Sequence, residues 1–98
     1  MEKMKELMAT MNESYYGMRI PEHGKEALAR YIVYHIKPGG FLSCLLENNL
    51  QDTVGKADDI NMPNIAAYVI WLYNNAPAIC WGSPEKVREW CKCKEVLC

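Results

Sequence analysis

Five stretches of the chain repeat apolar residues at spacings of three and four, the mark of helices with one buried face. The first, Lys3 to Met11, puts Met4, Leu7, Met8 and Met11 on one side. The second follows Ile20-Pro21-Glu22 and gathers Leu28, Tyr31, Ile32 and His35. The third, Phe41 to Leu50, turns Phe41, Leu42, Leu45 and Leu46 inward, with Leu50 and Val54 continuing that face. In the fourth, from Asp58 or Asp59 to Ala76, the core stripe reads Met62, Ile65, Ala66, Val69, Leu72, Tyr73 and Ala76. Trp71 projects away from that stripe, so it either packs a second face or lies in an oligomer contact. The fifth opens at Ser83-Pro84-Glu85 and faces Val87, Trp90 and Cys91 inward, with Cys98 seven residues further on.

Local punctuation sets the boundaries. Pro21 suits the first helical position, where its missing N–H is harmless, and Lys37-Pro38-Gly39-Gly40 ends that helix. Gly24 weakens its first turn. Asn48 and Asn49 either end one helix and start another or aim amides at a ligand or a subunit interface. Asp58 or Asp59 can cap the central helix, Pro63 fits only its first turn, and Asn74-Asn75-Ala76-Pro77 stops it. Ser83 as cap with Pro84 at the first position is the sharpest local signal. The expected fold is all-α, a compact bundle of four or five short helices that self-associates through apolar faces. It is read as one domain over 1–98, with an N-terminal helix and connector at 1–19 and a helical core at 20–98. The methionine-rich first helix is expected to bury its stripe at home in preference to offering a groove to a partner. Tyr15 and Tyr16 in the connector are expected to cover a core edge more readily than to stack on a ligand.

Composition narrows the classes. Ninety-eight residues, half of them hydrophobic, supply one modest core. A net charge of -1 gives no field for duplex nucleic acid. No apolar run reaches the length of a membrane span or resembles a secretory leader. Five cysteines, an odd number without such a leader, point to reduced thiols in a cytoplasm. There is no C-x-x-C, and Cys91 and Cys93 fall on different helix faces, so no metal site is expected. No zinc-protease, P-loop or nucleophile-elbow motif occurs, and His23 and His35 are isolated. The chain is therefore read as a non-enzyme without cofactor.

The ligand-binding candidates are Asn48, Asn49, Lys56, Asp58, Asn61, Tyr73, Asn74 and Trp81. Their amides, cation and aromatic faces suit a nucleotide: rings on base faces, amides on base edges, a lysine on phosphate. Most of them are equally explained as helix caps and boundary residues, because Asn and Asp favour caps for local reasons.

The segments P-G-G-F-L (Pro38 to Leu42), L-E-N-N-L (Leu46 to Leu50), G-K-A-D (Gly55 to Asp58) with Asn61, W-L-Y-N-x-A-P (Trp71 to Pro77) and C-W-G-S-P-E (Cys80 to Glu85) resemble a group of small tailed-phage accessory proteins. The likeness covers Pro21 to Trp90. Members usually carry Asp at the position of Asn49 and often Arg at that of Lys56, so the cation is kept and its planar fork is lost. Through this group the chain resembles viral sponge proteins of the anti-CBASS type. That resemblance implies a homo-oligomer such as a tetramer, which sequesters a cyclic dinucleotide or related signal without cleaving it. It also implies the cytoplasm of an infected bacterial host as the setting. The alternative is a phage protein-interaction module that inhibits a host protein, motivated by the methionine-rich helix and an exposed Trp71.

Overall fold

Each helix begins and ends where a residue satisfies or forfeits backbone hydrogen bonds. The computed structural model describes residues 2–93 of the chain, so Cys98 lies outside the described residues. Six α-helices follow in order: α1 Glu2–Ala9, α2 Glu22–Tyr34, α3 Gly40–Leu46, α4 Leu50–Lys56, α5 Ile65–Asn75 and α6 Pro84–Lys92. Short 3-10 turns at Met62–Asn64 and Ala78–Cys80 lead into α5 and out of it. The fold is all-α, with six helices where four or five were expected. The Cα radius of gyration, 12.6 Å, is that of one packed unit of this length.

The extra helix comes from Asn48 and Asn49. Asn48 takes the left-handed conformation, φ 64°, which few residues other than Gly and Asn accept readily. Asn49 then caps α4, its side-chain oxygen accepting from the Asp52 amide at 3.2 Å. The break rotates α4 relative to α3. Thr53, bonded to the Asn49 carbonyl at 2.6 Å, is the residue α4 buries. Leu50 is 71% exposed, and Leu50 and Val54 do not continue the α3 face as the unbroken period suggested.

In α5 the expected stripe is displaced. Ala67, Tyr68, Trp71 and Leu72 are buried, whereas Ala66, Val69 and Tyr73 are exposed. The buried face is turned by about one residue, roughly 100°. Nine of the eleven residues Ile65–Asn75 are apolar or aromatic, so period alone cannot choose a face. Partners for the polar tips choose it. Trp71, 0% exposed, donates its indole N–H to Thr10 Oγ1 at 2.9 Å, and Tyr68 donates its hydroxyl to Asn61 Oδ1 at 2.8 Å. Trp71 is therefore core, and neither an oligomer contact nor an exposed protein-docking residue.

Further corrections are local. α2 ends at Tyr34, and His35 leaves the helix in the left-handed conformation (φ 61°) to stack on Trp90, ring centroids 4.1 Å apart. Asp58 caps not α5 but the turn before it, its Oδ1 accepting from the amides of Ile60 and Asn61. Cys44, Cys80 and Cys91 are thiols but Cys93 is disulfide-bonded. The expectation of wholly reduced cysteines therefore fails there.

Other expectations hold. Met11 is buried, and Met4, Leu7 and Met8 pack on the core, so the methionine stripe is spent within the chain. Tyr15 packs on the same core, while Tyr16 is exposed at the tip of a turn. Tyr16 and Gly17 both have positive φ, and Tyr15 and Met18 exchange backbone bonds across them, the pattern of a type I′ hairpin turn. Ser83 caps α6 by accepting from the Lys86 amide at 3.1 Å. Val87 is buried, with Trp90 and Cys91 packed beside it. Among the described residues no helix is long and apolar enough to cross a membrane.

Candidate functional site

Glycines open the concavity that best meets the demands of a small ligand. Gly39 and Gly40 start α3, and Gly24 lies in the first turn of α2. A Cβ on Gly24 would collide with the Tyr68 hydroxyl, so α2 and α5 approach only because no side chain stands between them. Between these glycines is a pocket of about 250 Å³. Phe41 and Tyr68 supply its aromatic wall, their centroids 5.6 Å apart and their planes at 66°. His23, exposed, Asp58 and Asn61 supply its polar lining.

The polar groups are held from behind. Asp58 Oδ1 accepts from the Asn61 amide at 2.7 Å and the Ile60 amide at 3.1 Å, which fixes the carboxylate and leaves Oδ2 without a described protein donor. Asn61 is 6% exposed. Its Oδ1 is taken by Tyr68, while its Nδ2 donates to no described residue. Burial, with the Asp58 charge adding to it, pushes the Tyr68 phenol well above the ordinary tyrosine value, so it remains a neutral donor. Lys56 lies alongside: its Cδ comes within 3.5 Å of where a Cβ on Gly40 would stand, and its ammonium reaches Cys44 Sγ at 3.6 Å.

The eight sequence candidates do not form one site. Asp58 and Asn61 meet in this pocket, and Lys56 lies next to it. Asn48 and Asn49 line a separate, shallow depression of about 50 Å³ beside Val69. Asn74 lies elsewhere, its Nδ2 bonded back to the Ile70 carbonyl at 3.0 Å. Tyr73 is 80% exposed on the outer face of α5. Trp81 packs on the core at the corner before α6, where the Gly82 amide bonds to the Leu46 carbonyl at 2.7 Å. Capping accounts for Asn49 outright and for one oxygen of Asp58.

Sequence reasoning missed His23, Gly24, Phe41 and Tyr68 as site residues. One signal was present: a glycine in the first turn of a helix costs stability and therefore marks a close approach. Comparison with protein-family models, with characterised proteins and with solved structures gives no match to this chain. The chemistry has to be read from the pocket itself. Among the described residues no group of three or more His, Cys, Asp or Glu side chains converges on a point. The pocket lining holds one carboxylate and one imidazole but no hydroxyl or thiol other than the Tyr68 phenol. It offers a ring-sized slot, a donor at Asn61, an acceptor at Asp58 and a cation close by.

Proposed function

We propose that this chain binds a small nucleotide signal, a cyclic dinucleotide or a relative of one, without cleaving it, and seats one base in the Phe41–Tyr68 pocket. The observation that carries the reading is Asn61: a nearly buried amide held through its Oδ1 by Tyr68, with a nitrogen that bonds to no described residue and still reaches solvent, lining a slot walled by aromatic rings. Asp58 Oδ2 beside it suits the N–H edge of a base and would repel phosphate, whereas Lys56 suits phosphate. At about 250 Å³ the pocket is smaller than the 300–1,000 Å³ or so typical of drug-sized ligands. One ring system fits it, so the second base of a cyclic dinucleotide would lie outside it or in a second copy. The resemblance to anti-CBASS sponge proteins supports the same ligand class and the cytoplasm of an infected bacterium as the setting.

Self-association belongs to this reading. Leu50, Val54, Val69 and Tyr73 are exposed apolar side chains on α4 and α5, and Leu50 and Val69 line one shallow depression, which favours a homo-oligomer such as a tetramer. The alternative, inhibition of a host protein, loses the exposed Trp71 that motivated it.

Calorimetry with a panel of cyclic di- and trinucleotides and free nucleosides tests the proposal. Asn61→Ala should weaken binding by about tenfold or more, the usual loss for one well-made buried hydrogen bond. Nucleotide recovered intact after denaturing the complex distinguishes sequestration from turnover. No heat from any member of the panel would overturn the assignment.

A further inference from the structure

Three cations line a cleft of about 300 Å³ between the end of α3 and α6. Arg88 and Lys92 stand four residues apart on one face of α6, and Lys37 enters from the α2–α3 connection. The ion pairs of the described residues are Lys25–Glu22 and Arg30–Glu26, so none of the three is neutralised by a salt bridge. Glu47 lines the same cleft and Glu85 and Glu89 lie on α6, yet among the described residues no carboxylate comes within ion-pairing distance of any of the three. Like charges four residues apart on a helix repel each other, while Lys92 suits the negative end of α6. The chain as a whole carries a net charge of -1, so the cluster is not a by-product of a basic protein. Pro84 and Val87 give the cleft an apolar floor.

We propose that this cleft is a second ligand site, one that takes the phosphate group of a small molecule. Arg88 brings a planar fork of N–H donors that matches two phosphate oxygens, and Lys37 and Lys92 add two further charges, so the lining stays net positive with the Glu47 carboxylate counted. The apolar floor accommodates the carbon skeleton that carries the phosphate. The site shares no lining residue with the base pocket and does not depend on it.

Magnetic-resonance titration of the isotope-labelled full chain at constant ionic strength tests this, with pyrophosphate, inorganic phosphate, a mononucleotide and an uncharged nucleoside as probes. Saturable shifts at the amides of Val87, Arg88 and Lys92 are expected with each phosphate-bearing probe and not with the nucleoside. Tighter binding of the mononucleotide than of inorganic phosphate would assign the phosphate to an organic carrier; equal binding would assign the free ion. Arg88→Ala should weaken pyrophosphate binding by about tenfold or more. Lys37→Ala, which leaves α6 intact, should weaken it in the same direction while circular dichroism stays unchanged. Absence of saturable shifts with pyrophosphate, or shifts matched by sodium chloride alone, overturns the proposal, as does full affinity in both variants. A nucleoside that shifts Asn61 and Phe41 while pyrophosphate leaves α6 unmoved sinks this site and keeps the base pocket. The reverse pattern supports this site and removes the base pocket.

Discussion

Asn61, Tyr68 and Gly24 show how single residues trade stability for an opening. The Tyr68 hydroxyl points past Gly24 to Asn61, and any side chain at position 24 would displace it. Gly24→Ala should therefore destabilise the fold by about 1–3 kcal/mol through overpacking, although alanine in an open helical position gains about 1 kcal/mol. Urea unfolding of the two proteins decides the sign; a more stable Gly24→Ala variant would show that Tyr68 moves aside freely. The buried phenols add a pH dependence. Burial raises the pKa of both Tyr31 and Tyr68 in the folded chain above the unfolded value near 10. Their contribution is then fully present below about pH 10 and is lost as pH rises toward the folded value, at about 1.4 kcal/mol per pH unit for each tyrosine. Unfolding free energy should fall as pH rises above about 10. The slope should flatten in Tyr68→Phe, which cannot ionise. The Cys80 thiol, pushed up to about 11 by burial, remains protonated at neutral pH and is a poor nucleophile there.

At the scale of elements, the helix with the strongest apolar signal had its buried face misread, and one with a weaker signal was read correctly. α6 alternates charge with a narrow stripe ending at Val87 and Trp90 and opens on Ser83-Pro84, so its start and its buried face follow from local chemistry. α5 is apolar on nearly every side, and its orientation depends on Thr10, 61 residues away, and on Asn61. The two readings of α5 separate by mutation. Trp71→Ala should cost about 3–5 kcal/mol as a large core truncation, whereas Val69→Ala should lie within about 1 kcal/mol. Thermal unfolding in which the two variants behave alike would contradict the observed face. Ser83→Ala removes the α6 cap and should cost about 1 kcal/mol, read as a lower unfolding midpoint with unchanged denaturant slope.

Over the whole molecule, a few long-range hydrogen bonds join segments that are remote in sequence. The Tyr31 hydroxyl donates to the Cys80 carbonyl at 2.6 Å, and the Trp90 indole donates to the Tyr31 carbonyl at 2.9 Å. Lys25, nearly buried, ties the connector to α2 by donating to Asn12 at 2.6 Å and to Glu22 at 2.7 Å. Truncating Lys25 to Ala would leave Asn12 without that donor and remove a packed stem. The expected result is earlier exchange of the connector's amides, measured by hydrogen exchange. Unchanged protection there would show that the connector is held by Met11 and Ile20 alone.

The chain by itself determined the helical class, the stop at Asn74-Pro77, the start of α6 and the home-facing methionine stripe, and offered the break at Asn48-Asn49 as one of two readings. Each of these rests on residues within a turn or two of one another, where capping, backbone preference and apolar period act directly. The tertiary structure decided which face of α5 is buried, where α4 points, and that Asp58 and Asn61 share a pocket with Phe41 and Tyr68 while the other asparagines do not. Those outcomes depend on which polar tips find partners across tens of residues, and no local period carries that information. Gly24 lies between the two: its helix-weakening choice was visible in the sequence, and its reason, the Tyr68 hydroxyl, only in the fold.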